Sequence, residues 1–145
     1  MSVRYYDWIA HFGRRTPDKI AAIDLTSQRR LSYAEFDARI SLLATHLRDK
    51  LKVVRGDRVA VLALNTTDTL EMQFACFRIG AVFLPLNTRL TVPELQYIVG
   101  DAAPSLMIHH AELADIALAV AKLCKVSSTL LLGPAGSYEA AIAAS

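Results

Sequence analysis

The stretch from Phe77 to Val99, FRIGAVFLPLNTRLTVPELQYIV, constrains the fold more than any other part of this chain. Gly80 takes the left-handed conformation that ends a helix, and the apolar run after it predicts a short buried strand. Pro85 has no amide hydrogen, so it ends the sheet pairing. Thr91 and Glu94 have the spacing of a capping box and predict the start of a new helix. Helix, strand, rigid loop and helix together form one corner of an α/β fold.

The rest of the chain alternates in the same way between apolar strands and amphipathic helices. Such alternation with short connections predicts right-handed crossovers and a mostly parallel, doubly wound sheet with helices on both faces. The strands at 19–25 and 29–31 are the exception, since a polar turn between them predicts an antiparallel return. The predicted helices are 5–12, 32–50, 66–79, 91–99 and 112–125, and the predicted strands are 19–25, 29–31, 58–64, 82–84, 106–108 and 129–132.

Helical periodicity also predicts which side chains face the core. The strand at 19–25 is expected to be buried, and a helix start is predicted within 138–145. A capping box is predicted at Ser32 and Glu35, and a cap at Asn65 or Thr66. The inward side chains are expected to be Tyr5, Trp8, Ile9 and Phe12 in the first helix, Phe36, Ile40, Leu43 and Leu47 in the second, Leu70, Phe74 and Phe77 in the third, and Leu95, Ile98 and Val99 in the fourth.

The composition excludes several classes of partner. The chain has 145 residues, 53% of them hydrophobic, and its 16 basic and 14 acidic residues leave a net charge of +2. Without a run of like charge there is no electrostatic footprint for nucleic acid or an anionic membrane. No apolar run reaches the length of a membrane span. The apolar excess indicates either a parallel sheet covered on both faces, or surface meant for another part of the protein and hence self-association.

Two cysteines and two glycine or histidine motifs invite a chemical interpretation. Cys76 and Cys124 are isolated on apolar helical stretches, which favours reduced, buried thiols and a cytoplasmic location. Gly133 to Ser137 is rich in glycine, but Pro134 removes an amide that a phosphate cradle would need, so a plain loop is predicted. His109 and His110 alternate about a strand end and cannot share one metal, and His11 and His46 are predicted on solvated helix faces, so no metal site or catalytic triad is predicted.

Three stretches resemble one known family. The order R-x-G-A-V-x-x-P-L-N-x-R-L-T-x-x-E-L-x-Y-I at 78–98 is similar to the second core motif of the AMP-forming adenylate enzymes, in their acyl-CoA synthetase branch. LSYAEF at 31–36 is similar to the family's first motif, and GDRVAV at 56–61 with Asn65 is similar to its first long strand. Peptide-synthetase adenylation domains usually have Asp at the position of Asn87, followed by Tyr-Pro, so the acyl-CoA branch is favoured.

The resemblance implies a function for a longer enzyme. In that family a carboxylic acid attacks the α-phosphate of ATP bound with Mg²⁺, and CoA then displaces AMP from the acyl-adenylate. The family's Ser/Thr/Gly-rich phosphate loop ending in Pro-Lys-Gly and its C-terminal catalytic Lys do not occur in residues 1–145. The resemblance therefore implies that 1–132 is the N-terminal α/β subdomain, 133–145 a loop and truncated tail, and the remainder of the same polypeptide its partner. No catalytic residue, cofactor or activity is expected of this chain alone.

Arg89 is the single candidate site residue. It lies between Pro85 and Thr91, and Asn87 is expected to bond to its own backbone in the same turn. By pattern alone Arg89 lies over a helix as a structural side chain. The resemblance adds a second interpretation, because this loop of acyl-CoA synthetases lies near the surface where CoA docks, and a guanidinium there would contact a CoA phosphate.

Two other functions stay open on the residues alone. The chain could be a complete, non-catalytic α/β binding or assembly module. It could also be an unrelated doubly wound nucleotide binder, but no strand is followed by the Gly-x-Gly-x-x-Gly fingerprint of such proteins.

Overall fold

The computed structural model describes residues 6–134 and 136–144, in which strands and helices alternate as predicted. A two-stranded hairpin near the N-terminus precedes the main sheet. The elements are α1 (Trp8–Arg15), β1 (Ile20–Ile23), β2 (Arg30–Ser32), α2 (Tyr33–Asp49), β3 (Arg58–Leu62), α3 (Thr67–Ile79), β4 (Val82–Pro85), α4 (Val92–Ala102), β5 (Leu106–His109), a 3₁₀ turn (Ala111–Leu113), α5 (Ala114–Leu123), β6 (Thr129–Leu131) and α6 (Ser137–Ala143).

The main sheet has four parallel strands in the order β4-β3-β5-β6. In its central register, Val59 of β3 pairs with Phe83 of β4 on one side and with Leu106 of β5 on the other. β1 and β2 form a separate antiparallel pair, as the polar turn between them predicted. The predicted mostly parallel α/β fold is confirmed.

Helices cover both faces of the sheet, which makes the fold doubly wound. On β3, Val59 and Val61 belong to a core shared with α2, α3 and α6, whereas Ala60 and Leu62 belong to a core shared with α4 and α5. Because successive side chains of a strand point to opposite faces, a nearly continuous apolar run is what this position requires. Tyr138 of α6 is fully buried in the first core.

The local capping predictions are confirmed. The backbone amide of Ser32 donates to Glu35 Oε2 at 2.8 Å, and the amide of Glu35 donates back to Ser32 Oγ at 3.2 Å. Gly80 ends α3 with φ 73°, in the left-handed region. At the start of α4 the amide and the hydroxyl of Thr91 both donate to Glu94 Oε2 at 2.8 Å.

The inward face of α3 was predicted only in part: Phe74 packs against the core and contacts the ring of Phe36, as predicted, but Leu70 does not face inward. Leu70 is 42% exposed, whereas Met72, Ala75 and Cys76 are buried. Glu71 is also fully buried, on the face that a purely apolar pattern assigns to solvent. Glu71 can be buried because an arginine from α2 pairs with its carboxylate. Helical periodicity cannot reveal a partner that lies on another helix.

The strands outside the centre are less buried than predicted. β1 belongs to the hairpin outside the parallel sheet, so Ile20 and Ile23 are 40% and 46% exposed, and Leu25 beyond them is 81% exposed. β4 is an edge strand, and Val82 is 47% exposed for that reason. In α1, Trp8 is 58% exposed although Ile9 packs on the core. Phe12, also predicted on that face, is half-buried and contacts the ring of Tyr33, whereas Tyr5 lies outside the described residues.

Within 6–134 and 136–144, no helix combines the length and the apolar character needed to cross a membrane.

Candidate functional site

The carboxyl ends of β3 and β5 form the switch point of the sheet. β3 is followed in the chain by β4 on one side, whereas β5 and β6 extend the sheet on the other side. The segments after β3 and β5 therefore leave the sheet in opposite directions and open a crevice between them. In doubly wound sheets, ligands bind in the crevice at this place.

A cavity of about 780 Å³ occupies this crevice. Its walls come from the segments that follow β3, β5 and β6, from the hairpin turn and from α6. A second cavity of about 510 Å³ lies between the hairpin and the start of α3. The two cavities share the side chains Asp24, Thr26, Asn65 and Thr66. The large cavity is also lined by Ser27, Arg29, Leu64, Asp68, His110, Ala111, Glu112, Leu131, Leu132, Gly133, Pro134, Gly136 and Glu139.

An ion network forms one side of the large cavity. Arg29 donates to Asp68 at 3.1 Å and to Glu139 at 2.9 Å. Arg39 of α2 donates to Glu71 through Nε at 2.7 Å and through Nη2 at 3.2 Å, and its Nη2 also donates to Glu139 at 2.7 Å. The network therefore joins the hairpin, α2, α3 and α6. Residues from segments more than 30 positions apart meet in it, which is why sequence patterns did not single them out.

Burial and pairing act in opposite directions on the central pair. Burial raises the pKa of the Glu71 carboxyl by more than Arg39 lowers it. For Arg39, burial lowers the pKa, but the hydrogen bonds to Glu71 and Glu139 outweigh it, so the pKa of this guanidinium is raised. The partners differ because Glu71 is fully buried, whereas the Arg39 side chain keeps 18% of its surface exposed.

The charged side chains that line the large cavity are mostly acidic. Arg29 is the single lysine or arginine among its described lining residues, and its guanidinium is already paired with Asp68 and Glu139. Asp24 and Glu112 add two further carboxylates. Phosphate groups are bound by unpaired cations or consecutive free amides, and the described lining residues include no unpaired lysine or arginine. Three-residue clusters of His, Cys, Asp or Glu able to hold a metal are absent from the part of the chain that the structure describes.

Arg89 lies apart from this crevice, in the loop between β4 and α4. Its backbone amide donates to Asn87 Oδ1 at 2.9 Å, which confirms the predicted turn. The side chain is exposed, and among the described residues the guanidinium has no hydrogen-bond or ion-pair partner. The structure therefore does not bring Arg89 together with the residues of the crevice.

The histidines behave differently from the prediction in two cases. His11 is half-buried and contacts the rings of Tyr6 and Phe12. His46 is also half-buried, and its Nδ1 atom has no hydrogen-bond partner among the described residues. Burial, assisted by Lys50, lowers the pKa of His46. Neither His11 nor His46 lies on the fully solvated helix face that was predicted, since both side chains are half-buried.

His109 and His110 are buried at the end of β5, which confirms their place at a strand end. The ring of His110 lines the large cavity, and its Nδ1 accepts a hydrogen bond from the amide of Leu64 at 3.0 Å. The prediction did not anticipate this role, since Leu64 follows a different strand.

The two thiols are free. Cys76 is buried, as predicted, and burial raises its pKa to about 12. Cys124 is only half-buried, and its Sγ donates to the carbonyl oxygen of Gln96 at 3.5 Å. In the glycine-rich segment, Gly133 and Pro134 line the large cavity, and Ala135 lies outside the described residues.

Known proteins resemble this chain over most of its length. The family model for AMP-binding enzymes matches residues 9–143. A feruloyl-CoA synthase from an Amycolatopsis species is 45% identical over 111 residues, which are 77% of this chain and 21% of that protein. The matched region of this chain thus spans about a fifth of the length of that relative.

Two solved structures share the fold. A structure described as a long-chain-fatty-acid CoA ligase from Rhodopseudomonas palustris is 32% identical, with a TM-score of 0.80, over 88% of this chain and 32% of that one. The N-terminal domain of FACL13 from Mycobacterium tuberculosis is 24% identical, with a TM-score of 0.85, over 94% of this chain and 34% of that one, and shows the fold alone. The chain therefore belongs to the AMP-binding enzyme family and corresponds to the N-terminal part of its acyl-CoA synthetase branch.

Proposed function

We propose that this chain is the N-terminal part of an AMP-forming acid-CoA ligase, which converts a carboxylic acid, ATP and CoA into acyl-CoA, AMP and pyrophosphate. The observation that carries the proposal is the family match over residues 9–143. Mg²⁺ would accompany the ATP, and the remaining region of the polypeptide would supply the phosphate and catalytic groups. This chain contributes the scaffold behind the nucleotide and acyl pockets.

The identity to a feruloyl-CoA synthase favours an aromatic carboxylic acid over a fatty acid as the first substrate to assay. A chimera tests both the activity and the substrate class. In it, the matched region of the Amycolatopsis enzyme is replaced by the corresponding residues of this chain. We expect the chimera to form feruloyl-CoA. A well-folded chimera without adenylation or thioester activity would contradict the proposal and favour a non-catalytic binding or assembly module.

The chain alone should neither bind ATP nor form an acyl-adenylate. In the large cavity the guanidinium of Arg29 is already paired, so no unpaired lysine or arginine among the described lining residues faces a phosphate. Calorimetry with Mg-ATP and a pyrophosphate-release assay with ferulate test this. Saturable ATP binding in the micromolar range would contradict it.

Arg89 is proposed as a contact for a CoA phosphate. Two features support this role: its backbone is held between the Asn87 turn and the Thr91 cap, and its exposed guanidinium has no partner among the described residues. In the chimera, Arg89→Ala should weaken CoA by about 1.5–3 kcal/mol, the range for a charge-assisted hydrogen bond, and leave adenylation nearly intact. The measurements are KM for CoA and the pyrophosphate-exchange rate, with Arg14→Ala in α1 as the control. An unchanged KM for CoA would return Arg89 to a structural role.

Self-association of the isolated chain is proposed from its exposed apolar side chains. Leu25 and Tyr97 are 81% and 79% exposed, and Val54 is 61% exposed. Exposed apolar surface tends to become buried against another surface, which in a complete ligase would be the remainder of the polypeptide. Light scattering over a concentration series should show oligomers, and a monomer at high concentration would contradict this.

The two free thiols support a cytoplasmic location.

A further inference from the structure

A closed ring of hydrogen bonds lies at the carboxyl ends of β3 and β5. The amide of Leu64 donates to His110 Nδ1 at 3.0 Å, and His110 Nε2 lies 3.5 Å from Thr66 Oγ1. Thr66 Oγ1 lies 3.3 Å from Thr69 Oγ1, and the hydroxyl of Thr69 donates to the carbonyl oxygen of Leu64 at 2.7 Å. The ring thus begins and ends on the backbone of one residue.

One arrangement of protons satisfies this ring. Because the Leu64 amide donates to Nδ1 of His110, that nitrogen has no proton. A neutral imidazole then carries its proton on Nε2. Thr69 gives its hydroxyl proton to Leu64. It therefore accepts from the hydroxyl of Thr66, whose oxygen in turn accepts from His110 Nε2. An imidazolium would direct its Nδ1–H group at the Leu64 amide and break the ring of hydrogen bonds.

The ring of hydrogen bonds includes Thr66, which lies in a wall that the two cavities share. Leu64, Asn65 and Thr66 lie in the loop from β3 to α3, and Asn65 and Thr66 line both cavities. Thr66 also caps α3, since its Oγ1 accepts from the amide of Thr69 at 3.4 Å. His110 is 6% exposed and lines the larger cavity. Its backbone carbonyl oxygen lies 3.0 Å from Nδ1 of His109, within hydrogen-bond distance.

We propose that His110, held as the neutral tautomer with its proton on Nε2, is the positioning residue of the crevice. It holds the β3–α3 loop in position, and that loop in turn positions the wall between the two cavities and the cap of α3. This role goes beyond the proposed ligase activity and does not depend on it, because it rests on a hydrogen-bond ring within this chain.

The test uses the 145-residue chain labelled with ¹⁵N at histidine, and its readout is the pair of ring nitrogen resonances at neutral pH. We expect Nδ1 of His110 to resonate as an acceptor nitrogen and Nε2 as a protonated one. An imidazolium pattern, or a proton on Nδ1, would overturn the proposal. This measurement needs no variant, so it decides even if a substitution at this position prevents folding.

Two variants test the positioning role by hydrogen exchange at the Leu64 amide. His110→Asn places an oxygen near the position of Nδ1, so exchange should stay within about twofold of the wild type, whereas His110→Leu removes the acceptor and should accelerate it roughly tenfold, the effect of one lost hydrogen bond. His11→Leu in α1 is the control and should leave Leu64 unchanged. Equal exchange in the wild type and His110→Leu would refute the role, and so would acceleration in His110→Asn as large as in His110→Leu.

Discussion

The substitution Arg39→Met tests what holds α2, α3 and α6 together. It keeps much of the length of the side chain but removes the guanidinium. Glu71 would then lose both its hydrogen bonds, at 2.7 and 3.2 Å, while it stays fully buried. Glu139 would keep only its contact with Arg29 at 2.9 Å.

The expected cost follows from the buried carboxylate left behind. Breaking a buried ion pair by removing one partner costs about 3–5 kcal/mol, because the other charge stays out of water without compensation. A domain of this size has a total stability of roughly 5–15 kcal/mol, so the loss would be a large fraction of it. In Arg39→Met/Glu71→Met both charges are gone, and we expect the double variant to be more stable than Arg39→Met alone.

Urea unfolding of the three variants and the wild type, followed by circular dichroism, measures these free energies. Arg48→Met is the matched control, since Arg48 also lies on α2 but its pair with Asp49 is exposed on both sides, at 60% and 49%. It should leave the free energy of unfolding nearly unchanged. If Arg39→Met costs no more than Arg48→Met, or if the double variant is less stable than Arg39→Met, the reasoning is refuted.

The loss of unfolding free energy in Arg39→Met should also depend on pH. Burial already raises the pKa of Glu71, and Arg39 opposes that rise, so removing Arg39 raises the pKa further. When the pKa of a carboxyl is raised in the folded state, the free energy of unfolding of the protein falls as the pH rises through that pKa. The variant should therefore approach the wild type as the pH falls from about 8 to 5. A deficit that grows over this acid range would contradict the assignment to Glu71.

Three further predictions concern other parts of the chain. Burial raises the pKa of Cys76 to about 12, so a thiol reagent should modify the half-buried Cys124 first in the native chain, and equal rates in a timed absorbance assay would contradict this. Burial lowers the pKa of His46, so its contribution to stability is present above the unfolded value and lost as the pH falls; His46→Leu should flatten the decline in melting temperature between about pH 7 and 5, and an unchanged slope would exclude that contribution. In Gly136→Ala the new Cβ would lie 2.3 Å from a carbonyl oxygen of β6, so the melting temperature should fall, whereas Gly100→Ala in α4 meets nothing within 4 Å and should stabilise by up to about 1 kcal/mol; equal melting temperatures in the two variants would refute the close contact.

Local patterns predicted most of the fold. The capping boxes at Ser32 and Thr91 and the left-handed Gly80 depend on groups within four residues of each other, and all three are confirmed. The order of strands and helices follows from apolar periods of two or 3.6 residues. The family resemblance was also visible in the sequence, because its motifs are contiguous stretches around these turns.

The sequence by itself therefore determined the elements, their caps, the parallel α/β class and the family. Only the tertiary structure decided which charges are buried and that β1 lies outside the parallel sheet, where Ile20 and Ile23 are exposed. Glu71 faces inward because Arg39, 32 residues away, reaches it, and His110 accepts a hydrogen bond from Leu64, 46 residues away. Burial of a charge or a polar ring depends on a partner whose position is set by packing, and packing between distant segments leaves no periodic trace in the sequence.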